Sequence, residues 1–248
     1  MAWPRRANRQ QPWRFFGIPL HIDPSWFIVV ILISWSLARG YFPDVAPHLS
    51  VAVYWGMGIT GALLLFTCVL LHELGHALTA RAFGIPVPGM TLFIFGGVAH
   101  IAREATRPSV ELRVALAGPL VSVAIALACR FTAGILPVMT PLETIAVALL
   151  RYLAMINTGV LLFNLLPGFP LDGGRVLRAV LWAWTGRWDT ATRIASTLGL
   201  VVGIGLMLLG VWVITQGSWS GGIWYLLLGF FLRNAARVGF LQAGRRAP

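Results

Sequence analysis

Residues 51–71 carry no charge, and the next five positions read His72-Glu73-Leu74-Gly75-His76. That uncharged run restricts the fold more than any other feature of the chain. At 1.5 Å per residue it reaches about 30 Å, the thickness of a bilayer's hydrocarbon core. Lipid offers no water to backbone N–H and C=O groups, so a crossing segment must satisfy them internally. Long apolar stretches recur along the 248 residues, which are 58% hydrophobic and only 11% charged. The core is therefore read as helices in lipid, not as a sheet or a soluble bundle.

Six spans are expected, at about residues 26–38, 51–83, 110–136, 142–166, 191–215 and 219–232, with a short surface helix at 174–184. The sequence thus reads as an all-α polytopic membrane protein, a single domain over 1–248 with short basic tails at 1–14 and 238–248. The first span follows a cluster of arginines and resembles a signal peptide with Ser36-Leu37-Ala38 as its cleavage site. The Gly-Ile-Pro-Leu-His-Ile-Asp stretch between the arginines and the apolar run argues against that reading. Two further stretches, 15–23 and 90–100, are apolar, carry Gly or Pro, and are too short to span. The second suits a strand ending in a Gly-Gly turn. Strand edges cannot face lipid, so these pieces are expected to pair with each other or to line a cavity.

All nineteen basic residues are arginine, and the net charge is +11. They flank apolar segments and form no basic face with interleaved aromatics, so nucleic acid is not an expected partner. With the N terminus inside, six spans place the arginines at 5–14, 81–113, 175–193 and 233–246 on the cytoplasmic side. Only Arg39, Arg130 and Arg151 fall on or near the other side, as the positive-inside rule requires. The chain is accordingly expected in the cytoplasmic membrane with both termini in the cytosol. Cys68 and Cys129 lie in apolar segments and read as small hydrophobes.

Ionisable groups are expensive in a membrane segment and mark a functional site by default. His72 and His76 share one helix face at i and i+4, the zinc-hydrolase spacing, with Glu73 beside them as a candidate base. Hydrolytic zinc sites use three protein ligands and leave a fourth position open. Six of the remaining acidic residues (Asp23, Asp44, Glu104, Glu111, Glu143 and Asp189) fall in loops or at span ends. Asp172 follows directly on an apolar segment, three residues before Arg175, at the depth of the motif helix. Pro167 and Pro170 prevent a plain helix there and leave backbone groups that are tolerated only around a cavity. Asp172 is the best candidate for the third ligand.

Taken together, His-Glu-Leu-Gly-His and Asn164-Leu-Leu-Pro-Gly-Phe-Pro-Leu-Asp172-Gly-Gly-Arg resemble the site-2 protease family of intramembrane zinc metalloproteases. Gly-Ile-Pro-Leu-His, Phe-Gly-Gly-Val-Ala and the Ala-Gly-Pro-Leu beginning at Ala117 are similar to its compact six-span prokaryotic branch. The resemblance implies one Zn2+ per chain on His72, His76 and Asp172, with Glu73 as the base. It further implies that Asn164 positions substrate or stabilises the oxyanion. It suggests single-span membrane proteins as substrates, such as an anti-sigma factor or a sigma-factor precursor. No PDZ or CBS domain is expected between 1 and 248.

Other readings are weaker. A metal transporter would string ionisable groups through several spans, often in repeated halves, whereas this chain concentrates them at one depth. Asn157 suits helix-to-helix bonding. His100 reads as a solvated loop histidine.

Overall fold

The computed structural model describes residues 13–245, with side chains described to residue 240. Residues 1–12 of the N-terminal basic tail, including Arg5, Arg6 and Arg9, and 246–248 of the C-terminal one lie outside the described residues. Two strands open the described chain, β1 (Trp13–Phe15) and β2 (Ile18–Ile22). A helical segment follows as α1 (Ser25–Ser36), a π-helical turn at Leu37–Tyr41 and α2 (Phe42–Val45). Next come α3 (Val51–Ala82) and the hairpin of β3 (Gly89–Phe93) and β4 (Gly96–His100). The remaining helices are α4 (Pro108–Ile135), α5 (Pro141–Asn164), α6 (Asp172–Thr185), α7 (Trp188–Thr215) and α8 (Trp219–Arg245).

Five helical segments are long and apolar enough to cross a membrane: Ser25–Val45, α3, α4, α5 and α7. Their outward faces carry exposed large apolar residues, among them Ile31, Leu120, Phe131, Leu162 and Leu208, as lipid contact requires. The chain is a multi-pass membrane protein. The expected sixth span falls in α8, which is not among the five. Its apolar stretch gives way at Arg233 and Arg237, so its length alone does not make it a membrane-crossing helix. Ser36-Leu37-Ala38 lies within the continuous first helical segment.

The small sheet has the order β1-β2-β3-β4. The two short apolar stretches do pair: β2 runs parallel to β3, with Leu20 opposite Met90 and Ile22 opposite Leu92. Ile18, Leu20, Met90 and Leu92 pack with Leu70, Leu74 and Ala77 of α3 in one buried cluster. This apolar seam fixes the sheet against the helix that carries the histidine motif. The single strand expected within 90–100 is instead a hairpin. Phe93 pairs with Gly96, Ile94 and Phe95 form the turn, and the two glycines open β4. Gly96 adopts φ +127, which a side chain would strain, so the Gly-Gly pair allows the chain to reverse there. At the hairpin tip Phe95 stacks on Phe231 of α8, with ring centroids 4.7 Å apart.

Candidate metal centre and its cavity

Helix α3 runs unbroken from its Ser50 cap, whose side chain accepts a hydrogen bond from the Val53 amide, to Ala82. The i, i+4 spacing therefore holds through the motif, and both imidazoles project from one face into the bundle. His72 and His76 are each only 3% exposed. Their Nε2 atoms lie 3.2 Å apart. The Oδ2 of Asp172 comes within 3.0 Å of His72 Nε2 and 3.2 Å of His76 Nε2. Proline-containing residues 165–171 end α5 and restart the chain as α6, so Asp172 stands at the first turn of a new helix aimed at α3. Among the described residues, His72, His76 and Asp172 form the one group able to converge three ligand atoms on a metal ion.

The residues behind this group were not singled out in the sequence. His72 Nδ1 meets the Ser122 hydroxyl at 2.9 Å, and His76 Nδ1 meets the Val114 carbonyl at 2.7 Å. Both partners belong to α4. Each anchors the far nitrogen of its ring, so Nε2 is the atom presented to the centre, as an outer layer of metal-site bonds should do. Gly118, also on α4, faces the centre. A Cβ built there would fall 2.6 Å from His72 Nε2 and closer still to His76 Nε2. Only a residue without a side chain leaves room between α4 and the two candidate ligand nitrogens. The donor set, its anchored rings and this cleared space fit zinc, which favours imidazole and carboxylate ligands in a four-coordinate site. Ser122 and Val114 carry no sequence signal, being ordinary residues of an apolar helix. Gly118 belongs to the Ala-Gly-Pro-Leu motif, where its role could have been suspected.

Glu73 lies beside the centre and lines the same cavity of about 340 Å³. It accepts a hydrogen bond from the Ala99 amide of β4 at 2.9 Å. Asn164, the last residue of α5, lines the cavity too, as do Gly97, Ala99 and Phe231. The five residues expected from the sequence therefore surround one space. Strand β4 is the outer strand of the sheet and runs along that space. Asn157 is not part of the site: it is 2% exposed and donates to the Leu153 carbonyl of its own helix. His100 ends β4 rather than standing in a loop, and its Nε2 meets the Thr91 hydroxyl at 2.9 Å. Both cysteines are free thiols.

A buried ion pair ties α6, which carries Asp172, to α4. Arg178 of α6 donates to Glu111 of α4 through Nε, at 2.6 Å, and through Nη2. Arg178 Nη2 also lies 3.2 Å from Glu104 Oε2, and its guanidinium stands over the Phe169 ring at 4.7 Å. Glu111 is 1% exposed and Arg178 7%, so a carboxylate expected merely at a span end is in fact among the most buried groups. The pair joins the helix of Asp172 to the helix that anchors both histidines.

The family model described as "Peptidase family M50" matches residues 60–149 and 137–209. The protein sll0528 of Synechocystis sp. is 40% identical over 223 residues, 89% of this chain and 57% of that protein. Zinc metalloprotease MJ0392 of Methanocaldococcus jannaschii is 32% identical over 200 residues, 80% of this chain and 52% of that protein. The chain thus spans little more than half the length of these relatives. A solved structure of a site-2 protease from Methanocaldococcus jannaschii superposes with a TM-score of 0.57 at 26% identity, covering 92% of this chain and 93% of that one.

Proposed function

The chain belongs to peptidase family M50, and on that premise we propose that it is a zinc-dependent endopeptidase cutting peptide bonds within or near transmembrane helices. The observation that carries this reading is the meeting of two imidazoles and one carboxylate beside a fourth polar residue, Glu73, that has no place among the ligands. A transporter or storage site has no use for that spare carboxylate; a hydrolase has.

His72, His76 and Asp172 hold one zinc ion in this reading, and the metal, when bound, supplies Lewis acidity toward a water and a carbonyl. Glu73 takes the proton of the attacking water and delivers it to the leaving amine, a general acid–base role. Its hydrogen bond to the Ala99 amide aims one carboxylate oxygen and leaves the other for that exchange. Asn164, which lines the same cavity, donates in this reading a hydrogen bond to the oxygen that gains charge during attack. The substrate must be extended, since helical carbonyls are shielded. The outer edge of β4 offers backbone groups on which such a segment can add as a further strand.

Substrates of this kind are membrane-tethered proteins with a single span, an anti-sigma factor or a sigma-factor precursor being examples by family analogy. Counting α8 as a sixth crossing of the cytoplasmic membrane puts both termini in the cytosol and the site toward the cytosolic face. The test is cleavage of a panel of single-span substrates by purified protein, with zinc measured in parallel. Glu73→Gln should keep its zinc and lose cleavage, whereas Asp172→Asn should lose both. Cleavage surviving in Glu73→Gln would remove the assignment of the base.

A further inference from the structure

Toward the Ile135 end of α4, beyond Ser122, α4 and α5 flank a groove of about 680 Å³ that the protease reading does not use. Two of its lining residues are Arg130 and Arg151. No lining residue is acidic. Among the described residues neither arginine forms an ion pair; the pairs present involve His72, His76, Asp172, Arg178, Glu104 and Glu111. Apolar lining residues stand at the opening: Leu127 is 64% exposed and Met155 51%, so the groove faces lipid.

Depth decides what can neutralise these charges. On α4 the residues between Arg113 and Arg130 are uncharged. The two arginines therefore stand about 26 Å apart along the helix at 1.5 Å per residue, close to the hydrocarbon thickness of about 30 Å. With Arg113 at one headgroup boundary, Arg130 reaches the other, where lipid phosphates lie. Arg151 opens into the same groove from the neighbouring helix. An unpaired guanidinium at that level is costly unless an anion meets it, and its planar fork matches phosphate oxygens two at a time.

We propose that this groove binds the headgroup of an anionic phospholipid in the leaflet opposite the metal centre, its phosphate held between Arg130 and Arg151. Two positive charges with no carboxylate beside them favour a headgroup that carries no cation. A zwitterionic lipid would bring an ammonium with nothing in the groove to pair it. The inference stands on the α4–α5 groove alone and does not depend on the chain being a protease.

The experiment is native mass spectrometry of the detergent-purified full chain, titrated with phosphatidylglycerol, phosphatidylethanolamine or inorganic phosphate. Retention of one phosphatidylglycerol in preference to phosphatidylethanolamine is expected. Arg130→Gln and Arg151→Gln should each weaken it roughly tenfold, the effect of losing charge-assisted hydrogen bonds. The charge-keeping Arg130→Lys and Arg151→Lys should fall between, which separates a lost contact from a damaged fold. Zinc content should be unchanged in all four, because the groove and the metal centre share no residue. Equal retention by wild type and the glutamine variants would overturn the proposal. So would equal retention of the two lipids, or full displacement of phosphatidylglycerol by inorganic phosphate.

Discussion

Replacing Gly118 with alanine tests whether the space between α4 and the two imidazoles is there for a metal. The added methyl would lie 2.6 Å from His72 Nε2 and from His76 Cε1, and closer still to His76 Nε2, where an ordinary contact is 3.4–4 Å, so more than 1 Å of movement is needed. The rings cannot supply it by rotating, because Ser122 and the Val114 carbonyl hold their Nδ1 atoms. Backing α4 away would carry those same anchors with it. Overpacking of this kind costs about 1–3 kcal/mol. Borne by the metal-bound geometry, that is a roughly 5- to 150-fold loss of zinc affinity. Gly205→Ala is the control: nothing lies within 4 Å of its Cβ, and the helix gains up to about 1 kcal/mol from the alanine. The assay is competition for zinc against chelators of graded affinity, with circular dichroism to confirm helix content. Wild-type zinc affinity in Gly118→Ala would refute the argument that this glycine clears the ligand nitrogens.

Three further outcomes are expected. Ser122→Ala removes the anchor of His72 and should lower zinc affinity by about 10- to 100-fold, visible as faster loss of metal to a chelator with the fold intact. An unchanged loss rate would mean that the hydroxyl does not orient the ring. Arg178→Met leaves Glu111 buried without its partner and should destabilise the protein by about 3–5 kcal/mol in denaturant unfolding. The double variant Arg178→Met with Glu111→Leu should recover most of that loss, and failure to recover would show that packing around Arg178, not the orphaned charge, is what matters. Zinc removal from the wild type should abolish cleavage reversibly, with activity returning on addition of about one equivalent; cleavage persisting in metal-free protein would rule out the metal's role.

How the sequence relates to the site differs from one residue to the next. His72, Glu73 and His76 could be read directly, because a helix fixes the faces of residues four apart whatever surrounds it. Asp172 was reached by depth and by elimination, since few acidic residues are available in so apolar a chain. That 15–23 and 90–100 would pair with each other or line a cavity followed from the cost of bare strand edges in lipid, and the structure shows the pairing. The hairpin inside 90–100 did not follow, because its turn is formed by Ile94 and Phe95, residues with no turn propensity of their own. Nor did the length of apolar sequence settle α8, whose arginines cut the run short.

Patterns along one helix tell which face is apolar, not which neighbour that face meets. Thus the sequence by itself determined that this chain lives in a membrane as helices, and that one helix carries two imidazoles and a carboxylate on adjoining positions. Only the tertiary structure decided that Ser122 and Val114 anchor those imidazoles, that Gly118 clears the space between them, and that Arg178 closes on Glu111 across 67 residues of chain. These contacts join helices whose relative placement depends on how every other helix packs, and local periodicity carries no record of that.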